Sequence, residues 1–416
     1  MVTPRRRVKR RVLALAALAT AMTSLAACAG SNSTSSAGAE APRSVAPGKC
    51  GSIPHQPPKD GSGVLSSLGG AVAANYNGFT QPVEASAWTK WKPAHAGPYK
   101  VAISWPPPIN TFQAETLAGV KKTLTAGGKV TITKVLAPTS PADVPGQLQQ
   151  LNQLIADKPD LIIAQPIAPG PSAQVIDAAA EAGIPVVSGW TTTPSASAVS
   201  VGLNNWLQAA TTAAKVVQAM GGKGSVLLVH GIPGVQQDAD ATAGYKAVLA
   251  LCPDIKVAGE VTGGYVNATT KAAVLQFLST HPAGVNGVLQ SGNMGLGVIN
   301  AFQQLGKKVP PLADVGSTRG TIAYAHTNMS SYQEFGTGTP NNAIGASIAK
   351  VALKILAGQG PKVNQIITQP DYITNDTLGK IYQKGWTTTS TGEAANPDDA
   401  WMPDSYLANF FPKSAR

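Results

Sequence analysis

Histidine and carboxylate side chains are the groups that would carry catalysis in this chain, and their spacing forms no catalytic motif. The five histidines lack zinc-ligand spacing, and H-E-x-x-H, G-x-S-x-G and G-x-x-x-x-G-K-[ST] are absent from the 416 residues. Asp238 and Asp240 would suit glycoside cleavage, although a solvated helix face explains them more simply. His230, which ends an apolar run, would contact a ligand or serve the structure. We therefore expect no enzyme, metal or cofactor.

The N-terminus has the composition of an export leader. Six basic residues lie between positions 5 and 11, an apolar stretch too short to span a bilayer follows at 12–21, and Leu-Ala-Ala leads into Cys28. Leu-Ala-Ala-Cys resembles the bacterial lipobox, which implies that residues 1–27 are a signal peptide and that Cys28 is lipidated. An ordinary signal peptide with a chance cysteine is the alternative, and Arg10-Arg11 leaves general and twin-arginine export open.

Charge beyond this leader is modest. The whole chain has 32 Lys+Arg against 21 Asp+Glu, and without the six leader positives it has 26 against 21, a net charge of +5. That charge is too small and too scattered to indicate a nucleic-acid partner. Residues 28–48 are mostly small and polar, which predicts a flexible tether behind the lipid. We expect a lipid-anchored protein with its body in water on the extracytoplasmic face of the cell membrane.

Besides Cys28, two cysteines lie beyond the predicted leader, Cys50 and Cys252. In an oxidising compartment they would form a disulfide. Cys252 would equally serve as a small buried residue at a helix end, so the sequence leaves both possibilities open.

Short apolar runs alternate with helical patterns from residue 99 onward. The runs predict strands at 100–105, 129–136, 160–165, 184–190, 225–230, 255–261, 285–291 and 309–316, with further strands at 330–336 and 363–374. Strand–helix alternation at this pitch predicts βαβ units on parallel sheets. The second four runs follow the first four by about 124 residues, which predicts two similar α/β lobes with a ligand in the cleft between them.

Several segments in this order resemble the type I periplasmic binding proteins, in particular ribose- and galactose-type sugar-binding lipoproteins of ABC importers. The segments are "YKVAISWPPPINTF", "QLIADKPDLIIAQPIAP", "AAAEAGIPVVSGW", "VSVGLNNWLQAATTAAKVV" and "VLQSGNMGLGVINAFQQLGK", and the similarity covers about residues 98–375. The resemblance implies two Rossmann-like lobes joined by a three-crossing hinge near 202–206, 334–338 and 360–364. It implies a first lobe of 98–203 plus 336–362 and a second of 204–335 plus 363–375, between extensions at 49–97 and 376–416.

The same resemblance points to ligand-binding residues at the strand ends. On the first lobe it implies Asn110 and Phe112, and Trp105 and Trp190 end their strands there. Trp105 and Phe112 would alternatively pack the core. At the first crossing and on the second lobe the candidates are Asn204, Asn205, Asp238, Tyr265, Ser291, Asn293, Asp314 or its neighbour Val315, and Glu334 or its neighbour Gln333.

The predicted pocket departs from the sugar-binding pattern. Gly189-Trp190 and Ala239 stand where the family often has arginine, and the aromatic residues Trp105, Phe112, Trp190, Trp206 and Tyr265 would converge from both lobes. A nucleoside, a deoxy-sugar or an aryl glycoside is therefore as plausible as ribose or galactose. The expected function is that of a monomeric solute receptor that delivers a small ligand to an ABC permease. A sensory receptor of the same fold is the alternative, and a hydrolase on this scaffold is the least favoured.

Overall fold

The structure is a computed structural model that describes residues 49–412. The predicted leader, the tether and Cys28 lie outside the described residues. The described residues belong to one compact unit. Among the described helices, none combines the length and the apolar character that a membrane span requires.

Two six-stranded sheets organise this unit. The strands are β1 (Tyr99–Ser104), β2 (Val130–Leu136), β3 (Leu161–Ala164), β4 (Val186–Trp190), β5 (Ala198–Gly202), β6 (Gly224–His230), β7 (Ile255–Thr262), β8 (Gly287–Gln290), β9 (Leu312–Asp314), β10 (Glu334–Thr337), β11 (Gln365–Ile367) and β12 (Tyr372–Ile373). The first sheet has the order β11-β5-β4-β3-β1-β2 and is parallel throughout. The second has the order β12-β10-β9-β8-β6-β7, with only β12 antiparallel.

Helices connect the strands and cover both faces of each sheet. They are α1 (Gly70–Ala73), α2 (Thr111–Thr125), α3 (Val144–Ala156), α4 (Pro169–Glu181), α5 (Asn205–Ala219), α6 (Gln236–Leu249), α7 (Asn267–Thr280), α8 (Gly295–Gln304), α9 (Arg319–Thr327), α10 (Asn341–Leu356), α11 (Asn375–Ile381) and α12 (Asp404–Leu407). The predicted two-lobed α/β fold is confirmed. The first four strands of the second lobe, β6 to β9, start 125 or 126 residues after β1 to β4, their counterparts in the first lobe.

Alternating side chains along the strands feed two separate cores in each lobe. Val101 and Ile103 join the cluster that contains α2 and α10 residues, whereas Ala102 joins the cluster of α3 and α4 on the opposite face. In the second lobe, Leu227 and Val226 divide in the same way between two clusters. Burial on both faces explains why these strands read as continuous apolar runs.

The segment that returns to the lobes after α10 corrects the sequence analysis. The sequence predicts that 363–375 belongs to the second lobe and contains one strand, but β11 pairs with β5 in the first sheet and only β12 joins the second. The third crossing therefore lies at 368–371 rather than at 360–364. Pro370 has no amide hydrogen to donate to a ladder, which is consistent with the break there. β10 also stays in the second sheet up to Thr337, two residues past the predicted boundary.

The two extensions pack on the lobes. In the N-terminal extension, Tyr76 and Trp88 are buried in the first-lobe core, and the Trp88 indole donates to the carbonyl of Ser197 over 2.6 Å. The disulfide Cys50–Cys252, with a Cα–Cα distance of 4.7 Å, fixes the start of this extension to the second lobe. Of the two possibilities for these cysteines, the structure shows the disulfide. In the C-terminal extension, Phe410 is buried in the first-lobe core.

Candidate functional site

The loops at the carboxyl ends of the two sheets approach each other across a cleft. Thr192 follows β4 in the first lobe, and Gln236 begins α6 after β6 in the second. The Gln236 side-chain amide donates to the Thr192 hydroxyl over 2.9 Å. Ligands of open parallel sheets bind beyond the carboxyl ends of the strands, so the residues beside this contact define the candidate site.

An aromatic wall lies on the first-lobe side. The Phe112 and Trp190 rings have centroids 4.7 Å apart, and the Trp401 ring stacks on Trp190 at 6.3 Å. Trp190 has a φ of 66° and Trp401 a φ of 58°, which is a strained backbone for bulky residues. Trp190 and Phe112 are both half-buried whereas Trp401 is buried, so the exposed aromatic surface of this wall belongs to Trp190 and Phe112.

Polar residues form the second-lobe side. Asp238 lies in the first turn of α6, where its Oδ1 accepts the Gly231 amide over 2.7 Å. The Tyr265 ring lies against Gly231, at a place that any larger residue would fill. The Tyr265 and Ser291 hydroxyls are buried beside each other, and within residues 49–412 neither makes a hydrogen bond of standard geometry. Burial raises the pKa of Tyr265, so this phenol stays neutral.

Asn293 is the remaining second-lobe candidate on this surface. It has a φ of 53°, and its half-buried side chain lies against Gly316 after β9. Asparagine tolerates the left-handed conformation better than most residues. The amide therefore stands beside the β9 loop, close to Ser291.

Trp105 is a core residue rather than a cleft residue. It has no exposed surface and belongs to the same cluster as Val101 and Ile103. Positions 101, 103 and 105 are spaced by two residues, so their side chains lie on the same face of the sheet. The alternation of β1 therefore continues through residue 105 and places the indole in the core. Trp206, the other tryptophan of the predicted aromatic set, is likewise buried, and its ring lies against Gly78 of the N-terminal extension.

The three candidate asparagines outside the second-lobe surface lie at helix starts. Asn204 is buried and caps α5 through the Leu207 amide, and its Nδ2 donates to two carbonyls of the N-terminal extension. Asn110 caps α2 but is exposed on the cleft loop. Asn205 is the half-buried first residue of α5. Both Nδ2 hydrogens of Asn204 are used, whereas the Nδ2 of Asn110 makes no hydrogen bond with the described residues.

Asp314 and Glu334 form a buried carboxyl pair inside the second lobe. Asp314 has no exposed surface and Glu334 has 1%. Burial first, and then the neighbouring Asp314 carboxyl, raise the pKa of Glu334 well above its ordinary value. Glu334 therefore holds a proton, and the Ser317 hydroxyl donates to it over 3.3 Å. The pair lies beneath the cleft surface, not on it.

The two aspartates considered for catalysis point to different partners. Asp238 contacts His230, whose Nδ1 lies 3.2 Å from Oδ2, whereas Asp240 accepts from Thr80 of the N-terminal extension over 2.9 Å. Helix positions two apart lie on different faces, which explains the separation. The other nitrogen of His230 pairs with Glu260 at 3.0 Å. His230 therefore serves the structure of the site wall.

Positive charge is scarce around the cleft. Arg319 is the only arginine between residues 49 and 412, and its guanidinium lies over the Trp386 ring at 5.7 Å. The contacts of the Phe112–Trp190 wall and of the Asp238–Tyr265–Ser291 surface include no lysine. Over the same span, no group of three or more His, Cys, Asp or Glu residues is placed to hold a metal ion. The arrangement suits a neutral ligand with an apolar face and hydroxyl groups.

Sequence reasoning missed three residues of this site. Thr192 and Gln236 close the cleft, and Trp401 backs the aromatic wall from the C-terminal extension. The polar pair Gln236-Gln237 at a predicted helix start, directly after a strand-end loop, was a readable signal. No local sequence signal pointed to Trp401, because Trp190, the residue it contacts, is far away in the sequence.

Two lobes with parallel sheets, a three-crossing hinge and a cleft at the strand ends define the binding-protein class. Residues 101–360 match the family described as "Periplasmic binding protein domain", and the chain belongs to this family. The predicted membership of the type I periplasmic binding proteins is thereby confirmed.

Individual proteins that resemble this chain have low sequence identity to it. A xylitol-binding protein of Mycolicibacterium smegmatis is 24% identical over 239 residues, which are 57% of this chain and 67% of that protein. A solute-binding protein of Thermobispora bispora is 24% identical with a TM-score of 0.60, covering 68% of this chain and 87% of that chain. One from Bacillus halodurans with bound myo-inositol is 17% identical with a TM-score of 0.60, covering 69% and 98%. The solved structures share the fold.

Proposed function

We propose that this protein is a lipid-anchored receptor that binds a neutral polyhydroxylated solute, a sugar or a polyol, and delivers it unchanged to an ABC importer. The observation that carries this proposal is the pairing of an aromatic face with uncharged hydroxyls across one cleft. The half-buried Trp190 indole stands on one side, and Tyr265 and Ser291 stand on the other. Sugars and polyols present apolar C–H faces and hydroxyl edges that match these two walls.

Charge favours a neutral solute over an acidic one. A sugar acid or sugar phosphate entering the cleft would meet Asp238 and no arginine or lysine from the two walls. Desolvating an anion without a cationic partner is unfavourable. Within this class of neutral solutes, the similarity to a xylitol-binding protein favours polyols.

Isothermal titration against matched pairs of neutral and acidic solutes tests the ligand class. Neutral polyols and aldoses should bind, whereas the corresponding sugar acids should bind at least about tenfold more weakly because a buried charge is left unpaired. Equal or tighter binding of the acids would contradict the proposal.

Trp190→Ala tests the wall itself. Loss of one stacking face should weaken binding by about tenfold. Trp91→Ala is the matched control, because Trp91 packs on Trp88 near Lys92 and Gly358, beside the C-terminal end of α10 and away from the cleft. An unchanged dissociation constant in Trp190→Ala, or an equal loss in both variants, would rule out the aromatic wall as the ligand site.

The anchor and the transport partner are part of the same proposal. The Leu-Ala-Ala-Cys28 stretch supports lipidation, and a receptor tethered beside its permease captures solute where it is needed. Cys28→Ala should move the protein from the membrane fraction to the medium. Retention of Cys28→Ala in the membrane fraction would remove the lipid anchor from the account. Permease and ATPase genes beside the gene for this protein would favour transport, whereas a sensor-kinase gene there would favour sensing.

A further inference from the structure

The C-terminal extension passes from the second lobe to the first. We name residues 390–402 the C-terminal strap. On the second lobe, the Arg319 amide donates to the Gly392 carbonyl and the Ala394 amide to the Ser317 carbonyl, each over 2.9 Å. On the first lobe, the Ser347 hydroxyl donates to the Ala400 carbonyl over 3.3 Å. The strap therefore joins the lobes in addition to the three hinge crossings.

Glu393 is the strap residue whose backbone contacts one lobe and whose side chain contacts the other. Its backbone pairs with Thr318, at the start of α9 in the second lobe. Its carboxylate accepts from the Thr111 hydroxyl over 2.7 Å and from the Asn341 amide over 2.9 Å, both in the first lobe. Thr111 begins α2 and Asn341 begins α10. A carboxylate at two helix N-termini is held by their dipoles as well as by hydrogen bonds.

Trp401 holds the far end of the strap. It is 7% exposed, its ring stacks on Trp190, its amide donates to Asp399, and its carbonyl accepts from Thr368 at the third crossing. These three contacts hold this tryptophan at its positive φ. The strap is thus fixed at both ends, and Glu393 lies at the end that is attached to the second lobe.

The strap lies beyond the residues that match the family. The family match ends at residue 360. The structure with bound myo-inositol aligns over 98% of its own length with 69% of this chain. Much of this chain therefore has no counterpart in that relative.

We propose that the C-terminal strap is a fourth, adjustable connection between the lobes, and that Glu393 is a latch that holds them in the described arrangement in the absence of ligand. Opening the cleft separates Thr318 from Thr111 and Asn341, so the Glu393 carboxylate must leave its two donors. The latch makes the ligand-free protein favour the arrangement in which Gln236 reaches Thr192. This inference goes beyond ligand recognition, and it is tested without any ligand.

Double electron–electron resonance on the ligand-free protein measures the latch. Spin labels at Gln153→Cys on α3 and Gln304→Cys on α8, both exposed, report the distance between the lobes. Glu393→Ala should raise the population with a longer distance about five- to tenfold, as expected for the loss of two hydrogen bonds to a carboxylate. Glu393→Gln, which keeps an acceptor for Thr111 but loses the charge, should give an intermediate population.

Two further variants separate a latch from a general loss of structure. Asp398→Ala is the matched control, since Asp398 is an exposed strap residue whose side chain accepts no hydrogen bond from the described residues. It should give the parent distribution. As a single variant, Thr111→Val should raise the population with the longer distance. Combined with Glu393→Ala, it should add little, because both substitutions remove the same contact.

Identical distance distributions for the parent and Glu393→Ala would overturn the proposal, as would an equal change in Asp398→Ala. Because no ligand is present, a negative result here leaves the solute-receptor proposal standing. Failure of every solute to bind would, conversely, leave the latch measurement valid.

Discussion

Reduction of the Cys50–Cys252 disulfide should destabilise the protein strongly. The two cysteines are 202 residues apart in sequence, so the bridge restricts a long loop of the unfolded chain. The chain-entropy relation gives about 5 kcal/mol at 25 °C for such a loop. Unfolded chains are more compact than this relation assumes, and we expect a loss of about 3 to 5 kcal/mol.

Urea unfolding followed by tryptophan fluorescence measures this loss on one polypeptide in two redox states. The midpoint should fall by about 1 M or more on reduction, given the slope expected for a chain of this size. The double variant Cys50→Ala/Cys252→Ala should unfold near the midpoint of the reduced parent and should not respond to the reductant. This control separates the bridge from other effects of the reductant.

An unchanged midpoint, with mass spectrometry showing that the bridge is fully reduced, would refute the reasoning. It would mean that the bridge does not restrict the unfolded chain as the chain-entropy relation assumes.

Two further predictions concern buried carboxyl groups. Burial raises the pKa of Asp240 to about 6, so its contribution to stability is present at low pH and is lost as pH rises from about 4 through 6. Asp240→Asn should therefore gain up to about 3 kcal/mol over the parent at pH 7 and nothing at pH 3.5 in urea titrations; a constant difference across pH would contradict this. Glu334→Gln, which replaces a buried acid whose raised pKa keeps it protonated, should change stability little at pH 5 and gain on the parent as pH rises. A growing loss at high pH would show instead that Glu334 is ionised.

Much of the fold was predictable because the strands are buried on both faces. Runs such as 225–230 and 255–261 stand out as continuous apolar segments, and β6 and β7 lie there. β5 was missed because Ser200 interrupts its short apolar run. The apolar pattern over 363–374 predicts one extended strand, whereas the structure divides it into β11 and β12 on either side of Pro370.

The site was predictable in part. Aromatic and polar residues at strand ends were recognised, and Phe112, Trp190 and Tyr265 do lie at the cleft loops. The burial of Trp105 follows from the alternation of side chains along β1. The matching position in the family does not by itself show this burial. The roles of Trp401 and Glu393 depend on contacts with residues more than 200 positions away, and no local pattern encodes such contacts.

A thermal-shift screen of residues 47–416 against neutral polyols, monosaccharides, nucleosides and sugar acids tests the central claim most directly. A solute bound by the folded state at a hundredfold excess over its Kd adds about 2.7 kcal/mol of stability and raises Tm. We predict a clear rise with one or a few neutral polyhydroxylated solutes, each recovered chemically unchanged, and none with their acids. A rise confined to acidic solutes, or a solute recovered as a product, would contradict the account.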